Sequence, residues 1–301
     1  MLAAIDLGSN SFRMHIGRHV GNTIEVVRSM REATRMAAGL DDSDMLSETV
    51  VRRGVDALYR MGDILQAYRP LAVRAVATNT FRIAKNAATF LPAAEKALGY
   101  PIEVISGDEE ARLIYLGIAH QIPRAGENRL VIDIGGGSTE VIVGHGQDVE
   151  RAESVGIGTV RLARQFFRGG KMDALAFDAA VQFARERFDE IYKQADKPQW
   201  NNVYGSSGTL RAIGEIIARN NLGDEGITPQ SLEKLKHRFV DFGSIDKIAL
   251  EKVRPERAES IVGGLAILMG VMQELGINKL RPVEGGLRLG VMWDLHLRGK
   301  P

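Results

Sequence analysis

Between Val131 and Glu140 the chain reads VIDIGGGSTE, and this stretch limits what the protein can fold into more than any other. Val131, Ile132 and Ile134 predict a buried strand with Asp133 set inside it. Gly135, Gly136 and Gly137 then strip the turn of Cβ atoms, which permits positive φ and lets a ligand approach the backbone N–H groups. Ser138 and Thr139 add hydroxyls. A turn of this kind suits phosphate oxygens. A carboxylate beside phosphates would repel them, so Asp133 requires a cation in between, and Mg²⁺, a hard ion with oxygen ligands that keeps several waters, answers that need. Three glycines alone would equally make a plain hairpin turn; the flanking Asp133 and Glu140 point to chemistry.

The same pattern occurs earlier. Set above IDIGGGSTEVIVG (132–144), IDLGSNSFRMHIG (5–17) matches at Ile5/Ile132, Asp6/Asp133, Gly8/Gly135, Ser11/Ser138 and Gly17/Gly144, all at an offset of 127. The period is too long for a solenoid and predicts a duplicated domain. Each copy predicts a hairpin of strand, Gly/Ser turn and strand, and two such hairpins across a cleft would grip a phosphate chain from both sides. Asp6 stands where Asp133 stands and is a candidate for the same metal. Arg13 occupies the slot of Glu140, a cation where the other copy has a carboxylate.

A length of 301 residues suggests two domains. Hydrophobic residues at 45% and charged residues at 26% are ordinary for a globular protein. A net charge of +1 gives no global field for a polyanion, so an anionic substrate must be held by local cations, and neither nucleic acid nor a membrane is expected as partner. Without cysteine there are no disulfides, thiolate metal sites or cysteine nucleophiles, which fits a reducing cytoplasm. The start MLAAIDLGSN lacks the basic region of a signal peptide. The most apolar run, IVGGLAILMGVM, is twelve residues long and reads as a buried helix too short to span a bilayer.

Between the copies, Val51, Val55, Leu58, Leu65 and Tyr68 mark one face of a helix ending before Pro70. LAVRAVATN and PIEVIS predict strands. TNTFRIA (78–84) places Arg82 just beyond a strand end, where α/β folds put ligand contacts. SGDEEARLIYLGIAHQI predicts a helix in which Ser106 and Glu109 form a capping box, leaving Glu110 without a capping role. RAGENR (124–129) is the expected linker. Further on come strand, Gly turn and helix in RAESVGIGTVRLARQFF, an amphipathic helix in FDAAVQFARERFDEIYKQA, strand, Gly/Ser loop and helix in NVYGSSGTLRAIGEII, and a helix capped by Thr228 and Pro229. VEGGLRLGVMWDLHLR ends the chain with a Gly pair and a helix. The whole predicts an α/β protein with helices over parallel or mixed sheets.

Taken together these segments resemble the Ppx/GppA phosphatases, a family of exopolyphosphatases and guanosine pentaphosphate phosphohydrolases, over nearly the whole chain and in order. DLGSNSFR looks like the first phosphate loop, VIDIGGGSTE like the second, SGDEEARLIY like the stretch with the catalytic glutamate, GSSGTLRA like a loop that touches adenosine in the wider superfamily, and VEGGLRLG like the closing motif. The resemblance implies α/β architecture with duplicated actin-like (ribonuclease H-like) domains and an active-site cleft between them. Residues 1–123 would form the first domain, completed by the C-terminal helix 285–301, and 124–284 the second. It implies Glu110 as general base, Asp133 and Glu140 holding Mg²⁺ or positioning the attacking water, and phosphate contacts from Gly8, Ser9, Asn10, Ser11, Gly135, Gly136, Gly137, Ser138, Thr139 and Gly208. It also admits a monovalent cation such as K⁺, and a homodimer. Longer members carry a helical extension, whereas this sequence stops at Pro301, so long-chain tracking is expected to be weak.

Arg13, Arg82, Arg211 and Arg288 each lie in or beside a Gly/Ser motif, and planar donors suit phosphate oxygens; surface solvation accounts for most arginines, and Arg82 is the first choice among them. Glu109 competes with Glu110, being acidic and one residue away. The six histidines show no zinc spacing and no Ser-His-Asp set suggests itself. The leading expectation is an Mg²⁺-dependent exopolyphosphatase releasing orthophosphate from polyphosphate ends. Hydrolysis of pppGpp is the nearest alternative, and a superfamily kinase or a nucleotide-gated binding module the more distant ones.

Overall fold

The computed structural model describes residues 1–122, 126–192 and 200–299. In chain order the elements are β1 (Leu2–Leu7), β2 (Phe12–Val20), β3 (Thr23–Glu32), α1 (Glu48–Tyr68), β4 (Ala72–Ala77), α2 (Asn79–Ile83), α3 (Ala87–Leu98), β5 (Ile102–Val104) and α4 (Gly107–Gln121). Then follow β6 (Asn128–Ile134), β7 (Thr139–His145), β8 (Asp148–Val155), α5 (Thr159–Phe166), α6 (Ala174–Tyr192), β9 (Asn202–Ser206), α7 (Ser207–Arg219), α8 (Pro229–Phe242), α9 (Pro255–Leu275), β10 (Arg281–Pro282) and α10 (Leu287–Arg298). They form two compact units, one of Met1–Pro123 with Gly285–Pro301, the other of Arg124–Glu284.

The duplication read from thirteen residues extends to both sheets. One has the order β3-β2-β1-β4-β5 and the other β8-β7-β6-β9-β10. In each, the first three strands form an antiparallel meander and the fourth and fifth add in parallel, so both sheets are mixed. Even the irregularity repeats: the second and third strands slip register at Ile16/Gly17 and again at Val143/Gly144, at the shared glycine. This is the duplicated actin-like, ribonuclease H-like α/β fold.

In the first unit, strand alternation divides β1 between two layers. Ala3, Ile5 and Leu7 join Leu58, Met61 and Leu65 of α1 and Phe90 of α3 in one core cluster. Ala4 faces the other way and packs with Leu113 of α4 and Val291 and Met292 of α10. Asp6 shares the face of Ala4, so it points toward the side where the C-terminal helix lies. In the second unit, Leu130, Ile132 and Ile134 of β6 and Val141 and Val143 of β7 face the cluster built on α5, α6 and α9. Asp133 and Glu140 therefore project from the opposite face.

Three expectations need correction. The apolar run of twelve is part of α9, a helix of 21 residues that by length and composition could cross a membrane; 78% of its apolar window is buried, and it is the central helix of the second unit. RAGENR is not wholly a linker. Its residues 124 and 125 lie outside the described residues, but Glu127 is buried, Asn128 opens β6, and Arg129 is 0% exposed. Arg129 Nε donates to Glu127 (2.7 Å) and Nη1 to the Gly146 carbonyl (3.0 Å), while Asn202 and Tyr204 also donate to Glu127. Finally, no loop separates β9 from α7 in GSSGT: helix follows strand directly, with Ser207 at φ 81°, an unusual value for a residue with a side chain.

Burial pushes the Glu127 carboxyl up, but the hydrogen bonds from Arg129, Asn202 and Tyr204 outweigh it and hold the group below its ordinary value. A lowered folded-state value stabilises the fold above the unfolded value and ceases to do so as pH falls through the folded one. Glu127→Gln is accordingly expected to lower the urea midpoint at pH 7, and the gap to the parent should close as the pH is taken below about 4.3. A gap of constant size from pH 7 to pH 3 would show that the charge of Glu127 is not what stabilises this network.

Candidate active site

In both units the candidate residues gather where strands end. The first loop follows β1, the Thr78–α2 segment follows β4, and α4 starts just beyond β5, three parallel neighbours whose C-terminal ends lie side by side. The Ser9 and Asn10 carbonyls accept from the backbone N–H of Ala37 (2.8 Å) and Arg35 (2.9 Å). Thr80 on α2 donates to Ser9 Oγ (2.8 Å), and Arg13 Nε to Ser11 Oγ (3.2 Å).

The second loop follows β6. The Gly135 N–H donates to Ser138 (2.9 Å) and closes the turn, and the Gly135 and Gly136 carbonyls accept from Thr159 (3.0 Å) and Val160 (3.2 Å), the first residues of α5. The loop thus caps a helix N-terminus with its carbonyls, as Ser9 caps Ala37 at the equivalent position 127 residues earlier. Its N–H groups are the donors that remain for a ligand: among the described residues no backbone carbonyl accepts from Gly136 or Gly137. Gly158 lets the loop lie so close, because a Cβ there would sit 2.3 Å from the Gly137 nitrogen and 2.4 Å from the Gly136 carbonyl carbon.

The two hairpins diverge in charge. Asp6 stands opposite Arg13 in the β1–β2 register, whereas Asp133 stands opposite Glu140 in the β6–β7 register. Residues directly opposite in an antiparallel pair point the same way, and like charges there repel. The Glu140 side chain is 1% exposed and accepts from Ser154 Oγ on β8 (2.8 Å). Ser206, the residue before α7, is the parallel partner of Asp133. Two carboxylates held side by side, next to a loop of backbone donors, fit a hard divalent cation that completes its shell with water and phosphate oxygens. Among the described residues no set of three or more His, Asp and Glu is arranged to hold a metal ion.

Asp6 differs. Arg288 of α10 donates to it (3.1 Å) and also to His15 (3.2 Å). Burial pushes the Asp6 carboxyl up from its ordinary value, against the pull of Arg288 and Arg13. Its counter-charge among the described contacts is the Arg288 guanidinium. The Thr139 hydroxyl faces the core: the residue is 0% exposed, alternates to the core face from Glu140, and donates to the Ile157 carbonyl (2.8 Å). Gly208 sits in the first turn of α7 with its carbonyl taken by Arg257 (2.8 Å), and Arg211 is half-buried further along that helix.

Glu110 is 7% exposed in the first turn of α4, and Arg82 of α2 donates to it (2.8 Å) and to the Ile105 carbonyl (3.0 Å). Its neighbour Glu109 faces other partners. Ser106 accepts from the Glu109 N–H (3.1 Å), which is half of a capping box, but the Glu109 carboxylate turns away to Arg112 (2.7 Å) and Arg74 (3.1 Å). The hydrogen bonds from Arg112, above all, keep the Glu109 carboxyl below its ordinary value. Arg74 and Arg112 both also reach Asp294 of α10 (2.8 Å each). Reading along the sequence missed this network, and missed Thr80 and Ser154, because the partners meet only through strand register and helix packing.

Residues 15–298 match the model of the Ppx/GppA phosphatase family. The match begins beyond the first loop, whose equivalence to the second rests on the shared sheet topology. Among solved structures the chain is similar to a PPX-GPPA enzyme of Aquifex aeolicus, at 25% identity and a TM-score of 0.79, covering 97% of this chain and 98% of that one. An exopolyphosphatase from Cytophaga hutchinsonii is 22% identical with a TM-score of 0.87, over 99% and 98% of the two chains. An exopolyphosphatase-like protein is 23% identical with a TM-score of 0.88, over 99% and 98%. At such identities the last two speak to the fold.

Proposed function

The chain belongs to the Ppx/GppA phosphatase family, and from that premise we propose that it is an Mg²⁺-dependent exopolyphosphatase that hydrolyses the terminal phosphoanhydride bond of inorganic polyphosphate. The observation that carries this reading is the Asp133–Glu140 pair, two carboxylates in register beside a three-glycine loop. A divalent cation held by that pair would supply neutralising charge to the phosphate oxygens. The loop N–H groups bind the phosphates, and Glu110 takes a proton from the water that attacks the terminal phosphorus. The bridging P–O bond breaks, orthophosphate is released, and the shortened chain leaves with the bridging oxygen. We include in the proposal a cytoplasmic location and a homodimer.

Hydrolysis of pppGpp is the alternative reading of the same site, since that substrate also ends in a phosphoanhydride bond. The test is to offer polyphosphate, pppGpp and ATP separately with Mg²⁺ and to measure released phosphate. Release from polyphosphate alone or fastest supports the proposal; release from pppGpp alone transfers it to the nucleotide, and a phosphorylated acceptor without free phosphate would point to a kinase. Asp133→Asn and Glu140→Gln are each expected to raise the Mg²⁺ concentration for half-maximal rate by roughly tenfold or more, since each removes an anionic oxygen beside a hard cation. Undiminished activity in excess EDTA would refute the metal assignment.

A further inference from the structure

Arg82 and Glu110 come together for a topological reason. Each lies in the segment that follows one of two adjacent parallel strands, Arg82 in α2 after β4 and Glu110 in α4 after β5. The described bonds of Arg82 to the protein all use Nη1, which donates to Glu110 Oε2 (2.8 Å) and to the Ile105 carbonyl (3.0 Å). A guanidinium carries five N–H donors in a fixed fork, and the Arg82 side chain is 21% exposed. Its other edge is therefore available to an anion while Nη1 holds the carboxylate.

The remaining charges of the surrounding elements are largely committed elsewhere. Arg74 of β4, Glu103 beside it on β5, Glu109 and Arg112 of α4 and Asp294 of α10 bond among themselves. Asp6 and Arg288 bond to each other, with Arg13 near Asp6. Asp108, in the same first turn as Glu110, is exposed to solvent. Among the described residues, Arg82 is a cation in direct contact with Glu110.

We propose that Arg82 is a positioning residue that holds Glu110 ionised and aimed, and that the same guanidinium receives a substrate phosphate, so that phosphate binding raises the proton affinity of the base. The inference rests on the reading of Glu110 as the general base. A cation at hydrogen-bond distance favours the carboxylate over the acid. When a phosphate shares that cation, the pull on Glu110 weakens and the base becomes stronger at the moment substrate is in place. The signature is kinetic. The acid limb of kcat/KM reports the free enzyme and that of kcat reports the complex, so the kcat limb should lie at higher pH.

The experiment compares full pH–rate profiles of the parent, Arg82→Gln and Arg82→Lys, with Mg²⁺ and tripolyphosphate as the probe. The parent is expected to show the kcat limb above the kcat/KM limb. Arg82→Gln should move the kcat/KM limb up by about one unit, an approximately tenfold loss at acidic pH, and bring the two limbs together. Arg82→Lys should keep the limb near the parent position while KM rises, because the charge is retained and the fork is lost. Coincident limbs in the parent overturn the proposal, as does an Arg82→Gln enzyme with raised KM and an unmoved limb, which would make Arg82 a phosphate ligand only. If Arg82→Gln does not fold, the parent limbs and the Lys variant decide the matter. Failure of the underlying reading looks different: Glu110→Gln would then keep the parent kcat, whereas an inactive Glu110→Gln with unmoved limbs sinks this inference alone.

Discussion

Replacing Glu110 by glutamine is expected to lower kcat by at least about 10², with substrate affinity close to the parent's, since the variant keeps the shape of the side chain and loses the proton acceptor. Affinity is read by titrating substrate onto the inactive variant, and kcat from phosphate release under saturation. Glu109→Gln supplies the contrast. Its carboxylate is bound to Arg112 and Arg74 at the junction of α4 and α10, so its loss should appear as a lower urea midpoint with kcat near the parent's. Should Glu109→Gln be the inactive variant and Glu110→Gln the active one, the base is the neighbour.

The second large effect concerns a contact that no charge explains. Helices α4 and α10 cross backbone to backbone. A Cβ built on Gly290 would lie 1.7 Å from the Leu113 carbonyl oxygen, and one on Gly117 would lie 2.4 Å from the Gly286 carbonyl oxygen. Neither obstacle is a side chain that can rotate away, so the helices must separate. Gly290→Ala is expected to destabilise the protein by about 3 kcal/mol, the upper end for overpacking, seen as a lowered urea midpoint. Gly156→Ala is the control, since a Cβ there meets nothing within 4 Å and the residue does not need positive φ. Equal midpoints for the two variants would mean that the crossing tolerates a methyl group after all. Because α4 carries Glu110 and α10 carries Arg288, the surviving folded fraction of Gly290→Ala should also be less active.

What could be read from the sequence follows from how locally each feature is encoded. A hairpin confines its strands, turn glycines and flanking carboxylates to thirteen residues, so the repeat at offset 127 was legible and led to two sheets of one topology. Side-chain direction was harder. Thr139 and Glu140 are adjacent, yet strand alternation sends one to the core and the other to the opposite face, and a list of hydroxyls near a glycine loop cannot separate them. Glu109 looked like a capping residue because the motif S-x-x-E is local; its carboxylate turns instead to Arg112, three residues on, and to Arg74, 35 residues earlier, and only the second partner is out of reach of a local motif. Glu127 and Arg129 looked like linker because charge usually means solvent; they are buried because each neutralises the other.

The Asp6–Arg288 contact joins residues 282 positions apart, and the Arg74–Asp294 contact residues 220 apart. Both lie within the unit made of Met1–Pro123 and Gly285–Pro301. On the ribosome, residues 1–123 of this unit emerge first and must wait, because the helix that answers their buried charges is translated only after residues 124–284. The uninterrupted Arg124–Glu284 unit has all its sequence available before that helix appears. The usual N-to-C order in which domains fold during synthesis is thereby inverted. Until α10 arrives, Arg74 keeps Glu103 and Glu109 but lacks Asp294, and Ala4 and Leu113 lack the Val291 and Met292 that cover them. A nascent chain halted before residue 285 would therefore hold its second unit folded and its first unit open to protease.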